Sequence, residues 1–270
     1  MLHRGVDAAD YFGPYGSLAA NVPAYEYRAS QTTMARAVDR VLRDDGVLLV
    51  EAGTGTGKTW AYLLPAILSG RRVVISTATR ALQDQIVDKD VPTLLKHTNL
   101  KADVVALKGL GNYVCKRRYA EFLETRRGDP RYTSLRQWVQ ESQSGDRAEF
   151  GQEAEDWSVW PEITSGTDTR IGSGCPFVEE CFVSRVRQRA AGAQIVVVNH
   201  HLFFADLALR GPHPAAVLPD YDAVIFDEAH RLEDVATSFF GASVSTSGVE
   251  RLIRDLQGTN SANSTQPDAR

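Results

Sequence analysis

Short runs of consecutive apolar residues alternate with amphipathic stretches along most of the chain. The runs are bounded by turn residues and predict strands at 47–51, 73–77, 103–107, 194–198 and 223–226. Apolar residues at helical spacing predict helices between them, the clearest over 31–43 and 60–68. Strands that are apolar on both faces are typical of parallel sheets covered by helices on both sides. The pattern therefore predicts an α/β fold with a parallel sheet.

The alternation breaks between 109 and 192. This segment holds all three cysteines and much of the basic charge, and it is predicted to be a mainly helical, cysteine-containing insertion. Residues 1–108 and 193–240 are then two parts of one α/β domain. The tail 241–270 ends in a run rich in Ser, Thr and Asn, a composition that is unlikely to pack.

A glycine-rich turn lies between the first predicted strand and the helix that follows it. The spacing over Glu51–Thr59 is that of a phosphate-binding loop, apart from Ala52, which stands where the strict pattern has Gly. Such a loop turns backbone N–H groups and a helix N-terminus towards phosphate. The alternative is a chance glycine turn. The predicted phosphate-binding residues are Gly53, Thr54, Gly55, Thr56, Gly57, Lys58 and Thr59.

Two acids follow the last predicted strand. Asp227 and Glu228 stand at its carboxyl end, where ligands bind in open α/β sheets. Asp227 is predicted to hold Mg²⁺ together with the Thr59 hydroxyl, and Glu228 to orient and deprotonate the attacking water. Lys58 completes the predicted catalytic set by reaching the β- and γ-phosphates of ATP. Without the upstream loop, Asp-Glu could equally be a helix-capping pair.

Composition narrows the class of protein. With 43% hydrophobic and 24% charged residues, the chain is typical of a globular protein. No apolar run approaches the roughly 18 residues of a membrane span, and the first residues lack a secretory signal, so a cytoplasmic location is expected. A net charge of −4 argues against a wholesale cationic nucleic-acid binder but leaves room for a local basic track.

Taken in order, the motifs resemble those of superfamily-two DEAH helicases, and more closely the DinG/XPD-like iron–sulfur branch. The resemblance covers about residues 11–256 and implies a RecA-like P-loop NTPase domain. Besides the loop and the Asp227-Glu228-Ala229-His230 box, it is carried by residues 27–31, 76–83, 107–115 and 198–202.

The resemblance also implies roles for individual residues. Arg28 and Gln31 would lie at the adenine side, and His230 would couple the nucleotide state to DNA binding. Three residues would contact the DNA backbone, although helix capping and solvated surface are the alternatives for two of them (Thr79 and Gln83, with Arg80 the third). Basic residues of the insertion, such as Lys116 and Arg185, suit a single DNA strand or are an ordinary solvated surface.

Members of this branch hold a 4Fe-4S cluster with four cysteines. Cys115, Cys175 and Cys181 match three of them, but Arg170 stands where the remaining cysteine is expected. The resemblance leaves three options: an incomplete or labile cluster, a borrowed carboxylate such as Asp168, or buried cysteines with no cluster.

The function implied by the resemblance is that of an ATP-dependent DNA helicase. ATP and Mg²⁺ would drive movement on single-stranded DNA with 5′-to-3′ polarity, in DNA repair or in the recovery of stalled replication. A second RecA-like domain, which would supply an arginine finger, is not found in the sequence, and 241–270 would begin an arch region or be a disordered tail. The chain is thus expected to be truncated and inactive as a motor alone. The alternative is a non-motor module that binds ATP or DNA.

Overall fold

A four-stranded, all-parallel sheet forms the centre of the molecule. The computed structural model describes residues 7–23, 25–126, 128–151, 158–210 and 217–241. The strand order is β2-β3-β1-β4, with β1 at Val73–Thr77, β2 at Val104–Ala106, β3 at Ile195–Asn199 and β4 at Ala223–Phe226. The predicted α/β, RecA-like class with a parallel sheet is confirmed, and four of the five predicted strands are present.

Both faces of the sheet are covered by apolar clusters. Successive side chains of a strand point to opposite faces, and each face packs against a different cluster. On one face lie Val73 and Ile75, and on the other lies Val74. Strand β3 divides in the same way, with Val197 on the first face and Val198 on the second. This double burial explains why the strands are continuous apolar runs.

Helices cover the sheet as the apolar spacing predicts. The helix predicted over 31–43 is α3 (Ala29–Asp44). Helix α4 (Lys58–Ser69) follows the glycine-rich loop and ends before Gly70, whose left-handed φ of 65° stops the helix. The helices of this part of the chain are α1 (Ala8–Phe12), α2 (Ser17–Asn21), α3 (Ala29–Asp44), α4 (Lys58–Ser69), α5 (Arg80–Gln85), α6 (Val91–Thr98), α12 (His200–Arg210) and α13 (Leu232–Phe240).

The strand predicted over 47–51 is wrong. The segment is not paired with any described strand, and the side chains of Val47 and Leu49 are 90% exposed. Strand β4 pairs with β1 on one side, and no described strand pairs with its other side. Because extended backbone is stabilised by a partner that satisfies its N–H and C=O groups, an apolar run alone does not make a strand.

The insertion has an apolar cluster of its own, built from residues between Tyr113 and Val183. Two isolated bridges, Tyr113 with Asp146 and Val114 with Thr164, join its first residues to its middle part. The boundaries 109–192 stay a prediction, and 242–270 of the predicted tail lie outside the described residues. The helices of the insertion are α7 (Lys116–Thr125), α8 (Thr133–Glu141), α9 (Arg147–Phe150), α10 (Trp160–Ile163) and α11 (Phe182–Gly192). Among the described helices of the whole chain, none has the length and apolarity to cross a membrane.

Candidate nucleotide-binding site

The glycine-rich loop forms a tight turn that ends at the start of α4. Gly55 and Gly57 have a left-handed φ of 77°, whereas Gly53 does not share this conformation. A side chain at 57 would also collide with Gln31, because a Cβ there would lie 2.1 Å from the Gln31 amide nitrogen. The Thr56 hydroxyl donates a hydrogen bond to the Gly53 carbonyl at 2.9 Å and closes the loop, while Thr54 is exposed at its tip.

Lys58 lies where the loop and the acidic box meet. Its ammonium donates a hydrogen bond to the Ala52 carbonyl at 3.1 Å and lies 3.8 Å from Oε1 of Glu228. Lys58 and Glu228 are 170 residues apart in the chain and are brought together because the loop adjoins the carboxyl end of β4. An ammonium held by a carbonyl and a carboxylate is available to exchange these partners for phosphate oxygens.

A cavity of about 500 Å³ opens beside the loop. Gln31 lines it and donates a hydrogen bond from its amide to the Gly57 carbonyl at 3.0 Å, and Arg28 pairs with Glu26 at 2.9 Å on its rim. The cavity thus joins both residues expected at the adenine side to the loop. It is lined by Val22, Tyr25, Glu26, Arg28, Gln31, Gly57, Thr59, Trp60 and Asp90.

The two acids occupy a turn that continues directly from β4. The Asp227 amide donates to the Ser76 carbonyl at 2.8 Å, which extends the pairing of β4 with β1 by one residue. Glu228 has a left-handed backbone with φ 58°, an unusual conformation for a non-glycine residue that commonly marks functional turns. Its Oε2 lies 3.4 Å from Nδ1 of the exposed His230, which therefore adjoins the proposed water-activating acid.

The residues expected to hold Mg²⁺ lie beside a buried tyrosine. The Tyr62 hydroxyl donates to Oδ2 of Asp227 at 3.2 Å, and Thr59 precedes Tyr62 by three residues on the same face of α4. The oxygens of Thr59 and Asp227 are of the kind that Mg²⁺ prefers. Burial raises the pKa of Asp227, and the neighbouring Glu228 adds to this.

Sequence reasoning missed two buried residues beneath the acids. Tyr62 is 2% exposed, and the helical spacing from Lys58 to Tyr62 was the available signal. His200 is fully buried, its Nδ1 lies 2.7 Å from the Ser76 hydroxyl, and its ring adjoins the backbone of Asp227 and Glu228. Burial lowers the pKa of His200, so the imidazole is neutral at pH 7.

The residues expected to contact DNA divide into two groups. Thr79 and Arg80 are exposed at the start of α5, although the Thr79 hydroxyl caps the helix by accepting from the Leu82 amide at 3.2 Å. Gln83 is fully buried and donates to the Leu107 carbonyl at 2.9 Å. The expectation of a DNA contact for Gln83 is therefore corrected: its side chain ties α5 to the sheet.

The insertion is attached next to this helix by a buried ion cluster. The Lys108 side chain is 4% exposed and pairs with Asp84 of α5 at 2.5 Å and with Asp146 of the insertion at 2.7 Å. Burial disfavours the charged amine, but the hydrogen bonds to both carboxylates outweigh it and raise the pKa of Lys108. Arg80 also donates to Asn112 at 2.6 Å, so α5 and the insertion are joined at two places.

The cysteines do not form the donor set of a cluster. No group of three or more His, Cys, Asp or Glu side chains within the described ranges is placed to hold a metal ion. Cys115, Cys175 and Cys181 are half-buried, and the Arg170 guanidinium lies 3.9 Å from Sγ of Cys181. A cation against one thiol and the lack of a fourth thiol do not fit a four-thiolate site.

These features define a P-loop NTPase domain of the RecA-like class: a phosphate loop and an acidic box meet at the carboxyl edge of a parallel sheet.

Comparison with known proteins agrees with this class and narrows it. A family model described as DEAD/DEAH box helicase matches residues 32–120. The chain is 41% identical to the ATP-dependent DNA helicase YoaA of Escherichia coli (strain K12), over 92% of this chain and 40% of that protein. It is 34% identical to the ATP-dependent helicase DinG of Mycobacterium tuberculosis (strain ATCC 25618 / H37Rv), over 85% of this chain and 38% of that protein.

The chain is also 31% identical to a protein named 3′-5′ exonuclease DinG from Bacillus subtilis (strain 168). The match covers 83% of this chain and 24% of that protein. Together the similarities place the chain among the DinG-like helicases of superfamily two, as its motifs predict. The chain spans 38 to 40% of the length of the two helicase relatives.

Proposed function

We propose that the chain is the first ATP-binding motor domain of an ATP-dependent DNA helicase. The observation that carries the proposal is the 3.8 Å approach of Lys58 to Glu228 at the carboxyl edge of the sheet. Charges that face each other across an open cleft suit a ligand that has both anionic and cationic parts, as a nucleotide triphosphate with its metal ion does.

The residues divide the work as their positions allow. Lys58 and the N-terminal amides of α4 bind the triphosphate, and Gln31 and Arg28 hold the base side in the adjoining cavity. Thr59 and Asp227 would hold Mg²⁺, which neutralises phosphate charge when bound. Glu228, at the rim of the same cleft, orients and deprotonates water for attack on the terminal phosphate.

Single-stranded DNA is the proposed track. Thr79 and Arg80 present a hydroxyl and a guanidinium at the exposed start of α5, both of which bind phosphate oxygens. His230 is proposed to transmit the nucleotide state to a partner, which is supported by its contact with Glu228 and its exposure. A second RecA-like domain is proposed to supply the opposite face of the ATP cleft and an arginine finger, worth about 10³–10⁵ in hydrolysis rate in related NTPases. Movement is proposed to run 5′ to 3′.

Lys58→Ala tests the assignment of the phosphate loop. The variant is expected to lose about 100-fold or more in affinity for a fluorescent ATP analogue, because a charge-assisted contact to phosphate is lost. Lys96→Ala, on α6 away from the cleft, is the matched control. An unchanged ATP affinity of Lys58→Ala would contradict the proposed nucleotide site.

A non-motor module that binds ATP or DNA is the second candidate. In this alternative, the loop and the acidic box bind a nucleotide without driving movement. ATP hydrolysis by this chain, measured with and without single-stranded DNA, separates the two. DNA-stimulated turnover supports the motor, and binding without turnover supports the module. Competition with RNA of the same length tests the choice of DNA.

The iron–sulfur question is tested on anaerobically purified protein. Iron, sulfide and the visible absorbance of the chromophore would demonstrate a cluster, whereas folded, colourless and iron-free protein would leave Cys115, Cys175 and Cys181 as structural residues.

A further inference from the structure

A buried tyrosine lies directly behind the oxygens expected to hold Mg²⁺. Tyr62 is on the same face of α4 as Thr59, three residues earlier, and its ring is covered by the apolar core. Its hydroxyl donates to Oδ2 of Asp227 at 3.2 Å. The phenol thus contacts the carboxylate of the proposed metal site.

The hydroxyl is not needed for packing. Tyr62 is the only residue with a polar side chain in the buried run Ala61–Ile67, where phenylalanine would fill the same volume. A buried hydroxyl is costly unless it is hydrogen-bonded, and this one is satisfied by its hydrogen bond to Asp227.

The Asp227 carboxylate is held at both oxygens. Oδ2 accepts from the Tyr62 hydroxyl, and Oδ1 accepts from the Glu228 amide at 3.1 Å. Two donors at opposite oxygens fix the rotation of the carboxylate about its Cβ–Cγ bond. Each oxygen keeps a further lone pair for a cation.

We propose that Tyr62 is a positioning residue for the metal, whose hydroxyl fixes the orientation of the Asp227 carboxylate that would bind the cation. The inference rests on the proposed function, because it concerns the cation of the bound nucleotide. Hydrogen bonds to metal ligands orient the ligands, and loss of such a partner typically costs about 10–100-fold in metal affinity.

Tyr62→Phe is the direct test, read out by binding of a fluorescent ATP analogue during titration with Mg²⁺. The Mg²⁺ concentration for half-maximal binding is expected to rise about 10-fold, because Oδ2 of Asp227 is no longer held by the phenol. Analogue affinity in EDTA is expected to stay unchanged, because Lys58 and the loop are untouched. Tyr119→Phe, which removes a hydroxyl in the core of the insertion, is the matched control and should behave as wild type.

Two outcomes overturn the proposal. One is an unchanged Mg²⁺ requirement in Tyr62→Phe, and the other is an equal loss of binding with and without Mg²⁺, which would show a general structural role. Failure of the proposed function looks different: wild type itself would then bind no nucleotide, or Lys58→Ala would bind it as well as wild type.

A double-mutant cycle with Asp227→Asn keeps the test decisive if Tyr62→Phe lowers stability. Because Tyr62 acts through Asp227, the double variant should need little more Mg²⁺ than Asp227→Asn alone. Additive effects would contradict the proposal. Melting temperatures of all variants without ligand show whether each is folded under the assay conditions.

Discussion

The nucleotide site and the insertion are organised by different forces. The site is a set of polar groups at the edge of the sheet, with Lys58 and Glu228 each about one-third exposed. The insertion is built around a buried apolar cluster that includes Leu135 and Trp160, and Lys108 fastens it to the sheet domain. Changes in the site should therefore affect ligand binding, whereas changes in the insertion should affect stability.

Leu135→Ala should have the largest effect on stability. Leu135 is 1% exposed in α8, and removal of a buried leucine side chain costs about 2–5 kcal/mol of unfolding free energy. Urea unfolding measures this loss. ATP affinity, measured where the variant is folded, should change by no more than about twofold, because the site is remote from α8. A large loss of ATP affinity in the folded variant would mean that the two regions are not energetically separate.

Lys108→Met should have an intermediate effect. The substitution leaves Asp84 and Asp146 without their shared cation, which costs about 3–5 kcal/mol when the pair is fully buried. Because Asp84 is 29% exposed, we expect about 1–3 kcal/mol. Lys101→Met, at an exposed lysine near the start of β2, is the control and should stay within about 0.5 kcal/mol of wild type. Equal effects of the two substitutions would contradict a stabilising role of the buried ion cluster that Lys108 forms with Asp84 and Asp146.

The buried ion cluster of Lys108 also makes the free energy of unfolding depend on pH in the alkaline range. The folded pKa of Lys108 is raised above its ordinary 10.5, so the folded state keeps a proton that the unfolded state loses. This contribution is complete below pH 10.5 and is lost as the pH rises through the folded pKa. Urea unfolding at pH 9 to 11, taken as approximate limits, should show a shallower decline for Lys108→Met than for wild type. Parallel declines would exclude Lys108 as the source.

Val47→Thr and Leu49→Thr should have the smallest effect. Both side chains are 90% exposed, so either change should alter unfolding free energy by about 0.5 kcal/mol or less. Val197→Thr, on the buried β3, offers the contrast and should cost more than about 1 kcal/mol. A loss of unfolding free energy of comparable size in Val47→Thr would show that segment 47–51 packs against another surface in solution.

The local sequence pattern was sufficient to predict a structural feature where a single segment of the chain contains all the residues that define it. The apolar runs gave β1 and β4 their correct bounds, and the Gly-Lys-Thr spacing located the phosphate loop. The local pattern was insufficient where the same residue type can serve either at the surface or in the core. Gln83 has an amide that could bind DNA or buried carbonyls, and only its position on the buried face of α5 shows that it binds the Leu107 and Val197 carbonyls.

The cysteines show the same limit. Their spacing matches three ligands of a cluster, and the sequence alone already raised doubt through Arg170. The structure adds that the guanidinium of Arg170 lies against the Cys181 thiol and that the three thiols form no metal-binding group within the described residues.

The sequence by itself determined the class of this protein, because a phosphate loop, an acidic box and continuous apolar runs between amphipathic helices are local patterns with one common structural solution. The tertiary structure decided which side chains act together. Tyr62 meets Asp227 across 165 residues, and Lys108 joins α5 to the insertion, because such contacts depend on how the sheet and helices pack in space. It also decided that 47–51 is not a strand, since pairing is a property of two segments and cannot be read from one.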